Sequence, residues 1–199
     1  MTKQFQTIEY PLYFIDGDMG MYWSLDTRGI RLDASGLTFT SERETRTIAF
    51  GEIRSIRLQT TFAQAHDTAI GICQIRFGSY RKLTIYSGDA YGRFDADQRH
   101  HYINFVRDFH RRIPTEDRTR IAFNGGLSET RHMIVSAAML AGAVLFGLIP
   151  ALLLLWKPSY QTLGLAVTGG GLVYAGWRSW NKNRPEDYVP DHVPEELLP

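Results

Sequence analysis

The sequence predicts an α+β protein: an antiparallel β-sandwich or barrel of about seven strands capped by a C-terminal helix, followed by a two-helix transmembrane hairpin. Three observations carry this. Short apolar or alternating runs separated by turn residues fill the stretch from residue 21 to residue 87, the pattern of a small antiparallel sheet system. One amphipathic helix follows them. Then comes an uncharged stretch of 24 residues, Met133 to Trp156. With 199 residues there is room for one ordinary domain and an appendage, but not for two large soluble domains.

The run Ile8 to Ile15 reads as an edge strand, because Pro11 cannot donate to a central ladder. Strands are then expected at Met21 to Leu25, Gly29 to Leu32, Leu37 to Thr40, Thr47 to Phe50, Ile53 to Gln59, Ile70 to Phe77 and Lys82 to Tyr86. Turn signals stand at Asp33-Ala34-Ser35-Gly36 and Gly78-Ser79-Tyr80. In the sixth of these strands Cys73, Ile75 and Phe77 share one face, so the single cysteine reads as a buried core thiol rather than a nucleophile. One cysteine also excludes an intrachain disulfide and any cysteine-based zinc cluster, and it fits a reducing compartment.

A helix is expected from Asp95, where Asp95-Ala96-Asp97-Gln98 has capping-box spacing, to just before Pro114. Tyr102, Phe105, Val106, Phe109 and Ile113 form its apolar stripe, which must lie against the sheets. Arg99, His100, Arg107 and Arg111 occupy the opposite face.

Met133 to Trp156 would run about 36 Å as a helix against a hydrocarbon core of about 30 Å. Twelve of its residues are Leu, Ile, Val or Phe, and at roughly 0.3–0.6 kcal/mol each they favour insertion by about 4–7 kcal/mol. Pro150 should kink this helix rather than end it. After the turn Lys157 to Gln161 comes a weaker stretch, Thr162 to Trp177, with only five strongly apolar residues and the run Gly169-Gly170-Gly171. The short turn makes the two helices antiparallel neighbours, and the weak one is expected to insert by packing on the strong one. Small residues at four-residue spacing, Ala138 with Gly142, Ala143 with Gly147, and Gly171 with Ala175, are the expected helix-packing positions.

Arg118, Arg120 and Arg131 precede the hairpin, Arg178, Lys182 and Arg184 follow it, and its turn holds only Lys157. Basic residues near helix ends stay on the cytoplasmic side, so both termini are expected inside a multi-pass protein of the inner (plasma) membrane. The first 20 residues have no apolar core of the kind a secretory signal needs, in keeping with a cytosolic amino terminus. Trp156, Lys157, Tyr160, Trp177, Arg178 and Trp180 fall at the expected membrane interface.

About seven strands closed by one amphipathic helix, with phrases such as Gly29-Ile30-Arg31-Leu32 and Phe50-Gly51-Glu52-Ile53-Arg54-Ser55-Ile56, resembles bacterial pleckstrin-homology-like (PH-like) domains over residues 21 to 113. The resemblance implies a binding or assembly module rather than an enzyme. Phosphoinositide-binding relatives carry basic residues around their first hairpin loop, whereas Asp33 to Gly36 is small and acidic. Arg28 and Arg31 read as a solvated face that could otherwise meet an anionic lipid surface. The expected organisation is a cytoplasmic PH-like domain over 1–113, a juxtamembrane linker over 114–132, a hairpin over 133–180 (helices 133–156 and 162–180), and an acidic proline-rich tail over 181–199.

No motif for chemistry emerges. His100 and His101 point about 100° apart on a helix and His110 lies nearly three turns from the first, so they do not converge on a metal and read as solvated or membrane-facing. His66-Asp67 and Ser87-Gly88-Asp89 lack a nucleophile elbow to make them a hydrolase triad. There is no P-loop or dinucleotide fingerprint, and neither membrane stretch holds an ionisable residue for an ion pathway. A net charge of +1 gives no basic face for nucleic acid. Expected partners are the lipid bilayer, a protein segment on the cytosolic domain or tail, or a second copy of the chain; no cofactor is expected. The alternative role is a structural or transport-accessory subunit that oligomerises through the glycine-rich hairpin.

Residues 185 to 199 hold five acids and no base. Frequent prolines suit a disordered tail. The sharper expectation is that the tail returns along the domain, setting its acids against arginines and Tyr188, Val193 and Leu197 in a groove.

Overall fold

The computed structural model describes residues 6–17, 29–40, 44–62, 69–79, 81–156, 159–182 and 184–199, the side chains of residues 62 and 178–182 excepted. The predicted edge run is two strands, β1 (Ile8–Tyr10) and β2 (Tyr13–Asp16), which join different sheets. Pro11 sits at the crossing, where a ladder donor is not needed, and the Leu12 amide turns back to the Tyr10 carbonyl at 2.8 Å. The expected strand Met21 to Leu25 lies outside the described residues.

Strands β3 (Ile30–Leu32), β4 (Gly36–Thr40) and β5 (Thr45–Ala49) form a meander, and with β1 they make an antiparallel sheet in the order β1-β3-β4-β5. The β3–β4 turn is closed by Asp33, whose Oδ1 accepts from the amides of Ser35 and Gly36 at 2.8 and 2.9 Å. Burial opposes ionisation of this carboxyl, but those bonds and Arg31 hold its pKa below the usual value. The acid is therefore spent on the turn.

A second meander, β6 (Ile53–Phe62), β7 (Ala69–Phe77) and β8 (Arg81–Tyr86), follows. Alternation along β7 buries Cys73, Ile75 and Phe77 together, as expected. Full burial pushes the Cys73 thiol pKa up, which leaves it an unreactive core group.

Helix α1 (Ala96–Arg112) begins where Asp95 accepts from the amides of Asp97 and Gln98, and it stops before Pro114. Its stripe of Tyr102, Phe105, Val106, Phe109 and Ile113 is buried. Phe105 stacks on Phe109, Tyr10 meets Phe105 edge-on, and Phe50 lies against Phe109, so α1 seals the core between both sheets. At the other end of the stripe Tyr102 fits over Gly71 of β7, where a Cβ would stand 2.5 Å from its ring.

Within the stretch expected to be a linker, 114–132, residues up to Gly126 belong to the first unit and the rest open the second. The stretch carries a short helix α2 (Thr115–Arg118) and a strand β9 (Ala122–Gly125) that pairs parallel with β6, Ser55 opposite Ala122 and Leu58 opposite Gly125. The last strand, β10 (Glu186–Asp187), comes from the tail and pairs antiparallel with β9. The second sheet thus runs β10-β9-β6-β7-β8-β2. The chain divides into two compact units, Met1–Gly126 with Glu186–Pro199, and Leu127–Pro185.

The second unit is helical. Helix α3 (Glu129–Trp156), capped by Ser128, is the one helix among the described residues long and apolar enough to cross a membrane, with mean hydropathy 2.5 over its best window. Helix α4 (Tyr160–Lys182) falls short of that measure, so the expected pair of spans reduces to one candidate by composition. The glycines at 164 and 169–171 and the few strongly apolar residues account for the shortfall.

Pro150 does not end α3; a turn of π-helix at Val144–Leu148, with the Ile149 amide bonded to the Val144 carbonyl, carries the helix past it. Proline lacks the amide that would normally bond the Phe146 carbonyl. Gly169 of α4 packs there so closely that a Cβ would overlap that oxygen, and Gly176 packs on Met139. These pairs are seven residues apart on each helix and in opposite order, which is the seam of an antiparallel pair. Gly142 and Gly171, expected on the seam, have open space where a Cβ would stand, and Gly147 only touches Val173. Ala138 and Ala175 are exposed and Ala143 is half-buried. Of the expected positions, Gly147 lies at the α3–α4 contact, whereas Gly142 and Gly171 lie away from it.

Candidate functional site

The most built feature of the first unit is the groove that holds its own tail. One wall is α1, the other is the edge of β9 that β10 covers. β9 ends in Gly125, where a Cβ would stand 2.7 Å from Leu197, so only glycine leaves room for that side chain. Gly71 does the same for Pro199. Leu197 is 2% exposed and Tyr188 is 7% exposed, whereas the intervening Val189, Asp191 and His192 are exposed. The tail therefore holds by two anchors nine positions apart, with its acids in solvent between them and Val193 packed on the core.

At the first anchor, the Tyr188 amide donates to the Phe123 carbonyl at 3.2 Å, continuing the β9–β10 pairing inward. The Tyr188 ring meets Phe123 edge-on and His110 at a tilt. His110 is 1% exposed, and each ring nitrogen has one partner: Nδ1 lies 2.7 Å from the Val106 carbonyl and Nε2 lies 2.8 Å from the Tyr188 hydroxyl. A carbonyl only accepts, so Nδ1 carries the proton and Nε2 accepts from the tyrosine. Burial pulls the His110 pKa down to about 4, against the Val106 bond and with help from Arg118, and it pushes the Tyr188 pKa up. The pair is thus a neutral imidazole receiving a neutral phenol.

Arginines surround this core. Arg118 bonds Asp191 of the tail while its Nε and Nη2 hold the Ile113 and His110 carbonyls at 2.9 and 3.3 Å. Arg57 reaches Asn124 and the Gly126 carbonyl, and Asn124 in turn donates to Asp187 at 2.7 Å. Arg99 donates to the Pro199 main-chain oxygen at 2.6 Å. Beside the docked tail an open cleft of about 450 Å³ remains, walled by Arg107 and Arg111 on one side and Asp191, His192 and Glu195 on the other.

Of the sequence expectations, docking through Tyr188 and Leu197 with acids set against arginines describes the arrangement, and Val193 packs on the core as well. His110 is corrected: it is a buried acceptor, not a solvated or membrane-facing group. The signal was present, since His110 stands four residues after Val106 and so extends the apolar stripe. Phe123 and Gly125 escaped notice because four residues of β9 make no pattern of their own, and Arg118, expected only to flank the first membrane helix, bonds Asp191 of the tail.

The remaining sequence candidates are dispersed. Ser87 is buried with its Oγ accepting from the Gly71 amide at 2.7 Å, and Asp89 caps the turn at Tyr91 and Arg93. His66 and Asp67 lie outside the described residues, as do Arg28 and Lys157; Arg31 is exposed. Among the described residues no three His, Cys, Asp or Glu gather as a metal site. Trp156, Tyr160 and Trp177 are exposed near the ends of α3 and α4, and Arg178 and Trp180 lie in α4 with side chains outside the described set.

No protein-family model matches the chain, and no curated protein is similar to it.

Proposed function

We propose that the chain is a non-enzymatic integral membrane protein whose soluble unit is a cytosolic PH-like binding or scaffolding module anchored by the α3–α4 hairpin. The observation that carries the reading is the pairing of Gly125 with Glu186. The insert between them leaves and re-enters the same strand pair, so it crosses a bilayer an even number of times or not at all. If α3 spans, α4 is the return, and a helix too weak to insert alone gains from packing on a strong one. Large apolar side chains exposed along α3, among them Leu140, Leu145, Leu152 and Leu155, are surface that water would leave uncovered. The PH-like assignment is supported by two antiparallel meanders followed by one helix that seals them. A binding role is supported by a groove already holding an extended segment.

Topology is the test. Single cysteines at Ser159, Ser35 and Glu195, each in a Cys73→Ala background, are probed in intact cells with a membrane-impermeant thiol reagent. Labelling at 159 alone is expected; labelling at 35 or 195 refutes the orientation, and none at 159 refutes the hairpin.

A second reading, assembly through the hairpin, is favoured by Gly142, Gly164, Gly170 and Gly171, which have open space around them and so take no part in the α3–α4 seam. Monomers at every concentration in mild detergent would reject it.

A further inference from the structure

We infer that the α1–β9 groove is a recognition site for acidic, tyrosine-bearing extended segments, and that the chain's own tail is its resident competitor. This rests on the proposed binding role and names the partner class.

The argument begins with what the tail's absence would leave. β9 would lose its neighbour and present unpaired amides and carbonyls along an open edge, the template for strand addition. Beside that edge would lie an apolar slot lined by Phe123 with the His110 imidazole at its base. A neutral His110 whose Nδ1 is committed to Val106 offers Nε2 as an acceptor. An aromatic ring alone fills the slot; only one bearing a hydroxyl also satisfies that nitrogen. Such a site selects tyrosine over phenylalanine.

Charge fixes the rest of the partner. Arg57, Arg99, Arg107, Arg111 and Arg118 stand around the groove, and the segment seated in it carries Glu186, Asp187, Asp191, Glu195 and Glu196. The match is direct at Arg118 with Asp191 and passes through Asn124 from Arg57 to Asp187. Two buried anchors, main-chain pairing of two residues, solvated acids between and a cleft left open at Arg107 and Arg111 are the marks of a peptide ligand rather than of core chain. A segment from another protein needs two acids followed by tyrosine, with leucine nine positions on.

The experiment measures fluorescence anisotropy of labelled peptides against the purified full chain and against the chain lacking residues 185–199, both in detergent, with circular dichroism to establish that the truncated chain is folded. Two probes are used: residues 184–199, and a designed peptide sharing only the acids, the tyrosine and the leucine at their spacing. Both probes are expected to bind the truncated chain, within about tenfold of each other, and to bind the intact chain at least tenfold more weakly. Phenylalanine for tyrosine in either probe weakens binding about fivefold. Where truncation unfolds the domain, the intact chain carrying Tyr188→Ala and Leu197→Ala serves as the open form.

Binding of the native probe alone makes the groove an intrachain joint and overturns the inference. Equal binding to open and intact chains shows that the tail is not the competitor and overturns it too. Concentration-dependent dimers dispersed by the native probe reassign the groove to the tail of a second copy. Because the assay reads peptide binding in detergent, failure of the membrane topology leaves its outcome untouched.

Discussion

Replacing Tyr188 with phenylalanine removes one oxygen and leaves the ring against Phe123 and His110. The bond lost is 2.8 Å long and lies between groups 7% and 1% exposed, so no water takes the hydroxyl's place at His110 Nε2. An orphaned buried acceptor costs about 1–3 kcal/mol. For a folded unit of this size, each 1 kcal/mol lowers Tm by roughly 3–5 °C. Differential scanning fluorimetry of the detergent-solubilised chain should therefore show a fall of several degrees. The companion change His110→Phe orphans the tyrosine hydroxyl and should cost a similar amount. The double variant, having neither polar group, should be more stable than the two separate losses imply, with coupling of about 1 kcal/mol or more. Val106 suffers little, because its carbonyl still takes the helical bond within α1. A coupling of zero, or a Tyr188→Phe chain melting like the parent, would falsify the docked geometry of the tail.

Acid should act on the same pair. The folded pKa of His110, about 4, lies below the unfolded value near 6.5. The folded chain therefore binds fewer protons, so the contribution is complete above about pH 6.5 and is lost as pH falls toward 4, by about 3 kcal/mol in all. A pH series of denaturation midpoints should show this slope in the parent and a shallower one in His110→Phe. Gly71→Ala, which sets a methyl 2.5 Å from the buried Tyr102 ring, should destabilise by about 1–3 kcal/mol, read from the chemical denaturation midpoint. Gly169→Ala should lower the thermal midpoint in detergent by forcing α4 off the Phe146 carbonyl. Gly171→Ala, with open space around it, should be neutral or stabilise by up to about 1 kcal/mol; equal losses in the two would place the seam elsewhere.

The elements written in local pattern were legible. Alternation along Ile70 to Phe77, the cap at Asp95, the stripe from Tyr102 to Ile113 and the uncharged run to Trp156 each announce themselves within a few residues, because period and capping are local properties. β9 and β10 do not. Phe123 is buried by neighbours from β6 and from the far end of the chain, and Glu186–Asp187 becomes a strand only because an edge is waiting for it. The closest approach of the two helices was not legible, for a related reason. Ala138 and Gly142 satisfy a spacing rule, but the close approach falls at Gly169, where a proline nineteen residues earlier has stripped the Phe146 carbonyl of its usual donor. His110 was readable as core from its position after Val106; its hydrogen-bond partner, seventy-eight residues away, was not.

The pairing of β9 with β10 also bears on how the protein is made. The ribosome finishes β9 and then translates all of Leu127–Pro185 before the tail appears. At about 5–20 residues per second that is roughly 3–12 s with a bare strand edge and an empty tyrosine slot. In the proposed topology, only a chain whose α4 returns across the bilayer delivers residues 186–199 to the compartment where the slot waits. In that topology a second helix that fails to return leaves the tail on the other side, and β9 keeps an open edge. On the proposed topology, completion of the fold would record, in the protein itself, that insertion succeeded.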